Sequence, residues 1–137
     1  MDWICDELKK FSESLGTKRP MFGEDEYVKK LINEFTEKHI FIVAESLKVG
    51  LMGIIAGMFV PHMFNPAIKV SCLTVWWVAE KCRNSRAGKM LFDEFMKISK
   101  QTSDLIIVAT NISSPIKEQN IIKQGFVLKE KSYLFEC

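Results

Sequence analysis

Residues 69–100 read KVSCLTVWWVAEKCRNSRAGKMLFDEFMKISK. The run Lys69–Ala79 is long and apolar, which suits a strand. Further on, Leu91, Phe92, Phe95, Met96 and Ile98 recur at helical spacing and predict an amphipathic helix to about residue 100. Between the two lies a polar, glycine-containing turn, Lys81–Gly88. A strand that passes through so short a turn into a helix leaves backbone N–H groups unpaired at the helix start. Those donors, with the helix dipole, form a phosphate site. Gly88 lets the backbone approach a ligand closely. Arg83, Arg86 and Lys89 add positive charge where the dipole is already positive. That arrangement asks for an anion, and a pyrophosphate fits; a solvated basic turn capping an ordinary strand–helix unit is the plain alternative. Neither G-x-G-x-x-G nor a G-K-[ST] ending is present, which excludes a dinucleotide-binding Rossmann site and a P-loop.

Working outward, Ile4, Leu8, Phe11 and Leu15 predict a first helix, with Asp2 as a possible cap and Gly16 as the stop. A second helix fits 24–38, with Tyr27, Val28, Leu31, Ile32 and Phe35 as its apolar stripe and Glu24, Asp25 and Glu26 at its positive end. Ile40–Ser46 and Leu51–Val60 read as a hairpin closed by Leu47–Gly50, and 61–67 is a loop. Leu105–Ala109 is wholly apolar, as a strand covered on both faces would be. Ser114-Pro115 is a helix start, Gly125 its end, and Phe126–Glu136 reads as a last strand. The order α-α-β-β-β-α-β-α-β implies a single α/β (α+β) domain over 1–137, a mixed sheet with helices on both faces.

Composition narrows the function classes. A chain of 137 residues with 47% apolar and 26% charged residues buries a core without staples and is not disordered. A net charge of +2 argues for neither nucleic acid nor an anionic membrane. Cys5, Cys72, Cys82 and Cys137 are widely spaced and join only two histidines, a poor zinc set and a poor disulfide scaffold, so metal is not expected and reduced thiols in a cytoplasmic setting are. The N-terminus lacks a basic and then apolar leader pattern. The longest apolar run, Val49–Val60, is about a dozen residues where a bilayer needs roughly twenty, so it reads as buried strand.

The stretch Arg83-Asn84-Ser85-Arg86-Ala87-Gly88 resembles the R/Q-x-x-G-x-G/A acyl-CoA motif of the GNAT N-acetyltransferases, with Arg86 in place of the middle glycine. Ile121-Ile122-Lys123-Gln124-Gly125-Phe126 looks like the family's second motif, a helix ending in Gly-Phe. The likeness runs from about residue 24 to the end. It is strongest to short phage-encoded members, in which a Trp-Trp-Val strand enters an Arg-Ala-Gly turn; for such a protein the setting would be the host cytoplasm. The resemblance implies acetyl-CoA as acyl donor and an amine as acceptor. Val78 would pair its backbone with the pantetheine arm, and Arg83 would open the loop. Amides from Asn84, Ser85, Arg86, Ala87, Gly88 and Lys89 would hold the pyrophosphate. Trp76 and Trp77 fall where the family's strand bulges, and Leu105–Thr110 would splay away. Asn111 and Ser114 lie near the family's polar CoA contacts. Simple core packing, one ring on each face, explains Trp76 and Trp77 equally well.

The positions at which the family usually carries its acid and bases hold Ile121, Cys72 and Ala109. Tyr133 is a substitute acid if it points into the cleft, otherwise a half-buried strand tyrosine. Glu80 is a substitute base or a solvated turn carboxylate, and His62 a base over the acceptor site or a surface histidine. Cys72 reads as a small core residue before a nucleophile. Positioning alone supplies much of amine acylation. Two functions follow: an acetyl-CoA-dependent N-acetyltransferase, or a GNAT-like acyl-CoA-binding or interaction module with little or no turnover. Nucleic-acid binding through Lys117, Lys123, Lys129 and Lys131 is the weaker third reading, because acids punctuate the lysines and no aromatics interleave. Relatives that dimerise through the C-terminal strand make a homodimer an open option.

Overall fold

Short apolar runs containing β-branched residues, joined by a glycine turn, build the first half of the sheet. Ile40–Ser46 (β1) and Gly50–Pro61 (β2) pair antiparallel in the computed structural model, which describes residues 1–111 and 116–137. Gly50 closes their turn with a φ of 75°, a backbone state open to glycine at little cost. The run expected to be buried strand is β2, with Leu51, Ile54, Ile55 and Ala56 all buried. β2 also pairs antiparallel with Lys69–Val78 (β3), which in turn pairs in parallel with Leu105–Ile107 (β4). The sheet order is β1-β2-β3-β4. Parallel neighbours need a long crossover, supplied here by the helix Ala87–Thr102 (α3).

Strand period two divides the core between the two faces. Ile40 and Ile55 meet Leu91, Phe92, Phe95 and Met96 of α3. Phe41 packs on the other face against Cys5, Val28 and Ile32 from the helices Asp2–Ser14 (α1) and Asp25–Lys38 (α2). Two glycines let α3 lie close. A Cβ at Gly53 would sit 2.9 Å from Leu91 Cδ1, and one at Gly57 would sit 2.5 Å from Phe95 Cε2.

Several expectations need correction. The cap of α1 is Met1 rather than Asp2, although Gly16 does follow its end with a φ of 71°. The buried stripe of α2 is narrower than predicted: Val28, Ile32 and Phe35 are inside, while Tyr27 is 64% exposed. β4 pairs over three residues, and its outer side is open, with Leu105 and Ile107 exposed while Ile106 and Val108 pack on the α3 side. The helix before Gly125 is the five-residue Glu118–Ile122 (α4); the expected start at Ser114-Pro115 lies outside the described residues. The last strand over Phe126–Glu136 does not form. Its middle, Lys129-Glu130-Lys131-Ser132, has no alternating apolar face to lay on a sheet. Phe126 still reaches the core beside Phe92, ring centroids 6.3 Å apart. The chain end is held elsewhere: Glu136 accepts bonds from the amides of Lys18 and Arg19, and Arg19 donates to the Cys137 carbonyl at 2.6 Å.

Candidate functional site

β3 carries a bulge. Its register against β2 shifts opposite Ala56 and Gly57, leaving Thr74 as the extra residue, and the Thr74 hydroxyl donates to the Ala56 carbonyl at 3.1 Å. A bulge bends and twists its strand. Pairing with β4 ends at Cys72 and Ile107, while β3 continues to Val78, so the two strands part beyond that point. Ala79 N–H donates to the Met52 carbonyl on the β2 side at 2.8 Å. By antiparallel alternation, the N–H and C=O of Val78 therefore point to the opened side. There the Val78 carbonyl accepts a bond from Arg83 Nε at 3.2 Å.

The turn that follows is ordered by its own small residues. Glu80–Cys82 forms one 3-10 turn, with Cys82 buried beneath it. Ser85 donates from both its amide and its hydroxyl to the Cys82 carbonyl, and its hydroxyl accepts the Ala87 amide at 3.2 Å. Helix α3 starts directly after, with no acid in its first turn. Among the described residues, the amides of Gly88 and Lys89 find no acceptor. They are a ready anion site. Gly88 is also needed for packing: a Cβ there would lie 3.2 Å from Val78 Cγ2, and its carbonyl accepts Trp76 Nε1 at 3.2 Å.

These groups open into a cleft of about 600 Å³ between the end of β3, the start of α3 and α4. Arg83 and Lys89 line one wall, Lys117 and Lys123 the other, and no carboxylate lines it among the described residues. Lys89 also reaches Asp93, one turn down α3, in an exposed pair at 2.7 Å. Arg83 lies 4.6 Å above the Trp77 ring.

Of the residues singled out in the sequence, Trp77, Val78, Arg83, Ser85, Gly88 and Lys89 line this cleft. Asn84 and Arg86 lie exposed on the same turn, and Ala87 is buried under it. Asn111 follows the end of β4 outside the lining, and Ser114 lies outside the described residues. The three proposed acid–base groups do not converge. His62 follows the far end of β2 beside the start of β3, whose ten residues put about 30 Å between it and Val78. Its Nδ1 accepts the Phe64 amide at 3.2 Å. Glu80 is exposed outside the lining, and Tyr133 is 89% exposed on the strandless tail. Burial pushes the Cys72 thiol up, against a nucleophilic role. Trp76 stacks on Phe92 at 4.5 Å, and Trp77 meets Phe11 edge-on at 6.1 Å, so each ring serves one face of the sheet.

Sequence reasoning missed the α4 wall. Lys117, Asn120, Lys123 and Gln124 all line the cleft. Their spacing of three, three and one puts them on one side of α4 and its ends, but the sequence pointed to Lys117 and Lys123 only as weak nucleic-acid contacts.

A four-stranded mixed sheet with a bulged, splayed third strand, helices on both faces and a helix rising from the turn is the GNAT acetyltransferase fold. The chain superposes on a probable acetyltransferase at a TM-score of 0.74, with 17% identity over 99% of this chain and 91% of that one. A predicted acetyltransferase from Clostridium acetobutylicum, crystallised with acetyl-CoA, matches at 0.72 and 13% identity over 98% and 88%. Glucosamine-6-phosphate N-acetyltransferase from Arabidopsis thaliana matches at 0.68 and 18% identity over 97% and 92%. No protein-family model and no curated protein matches the chain. At these identities the likeness carries the fold, and chemistry must be argued from the cleft. Among the described residues, no helix is long and apolar enough to cross a membrane.

Proposed function

We propose that this protein is an N-acetyltransferase that moves the acetyl group of acetyl-CoA to a primary amine. The observation that supports the reading most strongly is the meeting, in one cleft whose described lining holds no carboxylate, of two unbonded helix amides, four cations and a strand edge with outward backbone groups. The amides of Gly88 and Lys89, with Arg83, suit a diphosphate. The Val78 edge suits an arm that carries amides of its own, as pantetheine does. In the reaction the amine nitrogen attacks the thioester carbonyl carbon. The C–S bond breaks, and the thiolate leaves to be protonated as the thiol, while the amine loses a proton. A cytoplasmic setting belongs to the same reading, argued from the cysteine usage.

A second reading, a module that binds acyl-CoA with little or no turnover, has its own observation. Among the described residues, no histidine, tyrosine or carboxylate lines the cleft. Under the transferase reading, by contrast, the proton lost by the amine goes to solvent or to the acceptor itself, and positioning carries the catalysis.

Titration with CoA and acetyl-CoA tests both readings at once. The chain should bind each, and Arg83→Ala should weaken binding about tenfold, the worth of a charged hydrogen bond. Unchanged affinity would overturn the site. Thiol release from acetyl-CoA in the presence of an amine panel separates transferase from binding module.

A further inference from the structure

A chain of contacts runs from α1 to the loop arginine. The Glu7 side chain, only 16% exposed, accepts a hydrogen bond from Trp77 Nε1 at 2.8 Å and one from Lys10 Nζ at 3.2 Å. Phe11, one turn along α1, meets the edge of the Trp77 ring. The Arg83 guanidinium lies 4.6 Å over that same ring while its Nε donates to the Val78 carbonyl. An indole N–H that donates to a carboxylate shifts electron density into the ring, and a richer ring attracts a cation more strongly. An arginine otherwise loses much rotamer freedom on binding a ligand. One already held by a ring and a carbonyl loses less.

We propose that Glu7 and Trp77 are positioning residues that hold the Arg83 guanidinium at the mouth of the cleft, so that α1 sets how tightly the cleft takes the diphosphate of acetyl-CoA. The ligand in this inference rests on the function proposed above. Glu7 itself touches no part of the cleft wall and acts through Trp77.

The test is calorimetric titration with acetyl-CoA at low salt of the full chain and of the variants E7Q, E7A, W77F, R83A and E7A/R83A, with thermal midpoints recorded alongside. E7A should weaken binding about two- to five-fold, the range of one exposed cation–ring contact. E7Q, whose amide oxygen still accepts the indole N–H, should recover part of that. In the R83A background, E7A should change nothing further. W77F keeps a ring but loses the N–H, and it supplies the same comparison should E7A fail to fold. Unchanged or tighter binding by E7A, or an equal loss with and without Arg83, overturns the inference and leaves Glu7 as α1 packing. If the unaltered chain does not bind acetyl-CoA, the proposed function falls and takes this inference with it. Binding by the unaltered chain without coupling removes this inference alone.

Discussion

Trp76 and Trp77 point to opposite faces of β3, as successive strand residues must, so each ring packs on its own side as core packing required, and the bulge expected at this pair lies earlier in the strand, at Thr74. Trp76 packs on Phe92 and Trp77 on Phe11, yet both also wall the cleft. Gly88 shows the same doubling: it leaves room for Val78 and presents an unbonded amide. Cysteine reactivity offers a check at this scale. Cys137 is exposed, Cys5 and Cys82 are buried, and burial raises the thiols of Cys5 and Cys72. Iodoacetamide at neutral pH should therefore label Cys137 first, the half-buried Cys72 far more slowly, and Cys5 and Cys82 only on unfolding, as read by peptide mass spectrometry. Fast labelling of Cys72 in the folded chain would contradict its placement. The places of the candidate acid–base residues were the least legible. His62, Glu80 and Tyr133 were weighed on chemistry alone, and which end of a ten-residue strand a loop occupies is a long-range fact that no local pattern states.

Elements with strong periodicity were legible, and those whose form depends on a neighbour were not. β1, β2 and β3 follow from short β-branched or apolar runs bounded by turn residues, and α3 from its period of 3.6. β4 was read as covered on both faces because it is apolar throughout, but an apolar run signals burial without saying which neighbour provides it. Leu105 and Ile107 point to the face opposite α3 and stay exposed, while Ile106 and Val108 pack on the α3 side. Helix–strand packing can be tested at Gly57. Gly57→Ala would push a methyl into the Phe95 ring, which is fully buried, and should cost about 1–3 kcal/mol in denaturant unfolding. A neutral result would mean that α3 does not lie so close to β2. The α4 face supplies a second test. K117A/K123A should weaken acetyl-CoA binding about three- to ten-fold at low salt and much less at 0.5 M salt, since exposed charge acts mainly through a screened field. Equal loss at both salts would mean that the lysines act by structure rather than charge.

Across the whole molecule, the order of elements and the two-faced sheet were readable through eight elements, and the strand–turn–helix corner at Val78–Lys89 was readable from one strand, one turn and one helix. The far wall of that corner was not, because it forms only when α4 folds back over β3, some forty residues distant in sequence. No motif in the sequence specifies an acceptor, so the amine of the proposed reaction is a matter for the panel. What the architecture does concentrate is positive charge in a lining that holds no carboxylate among the described residues, beside amides with nothing to bind. Backbone 1H–15N NMR of the full chain during an acetyl-CoA titration reads those amides directly. The account predicts that Gly88 and Lys89 shift downfield together and saturably, with Val78 following, while residues near His62 stay still. Saturable binding that leaves Gly88 and Lys89 unmoved, or no binding at all, would contradict it.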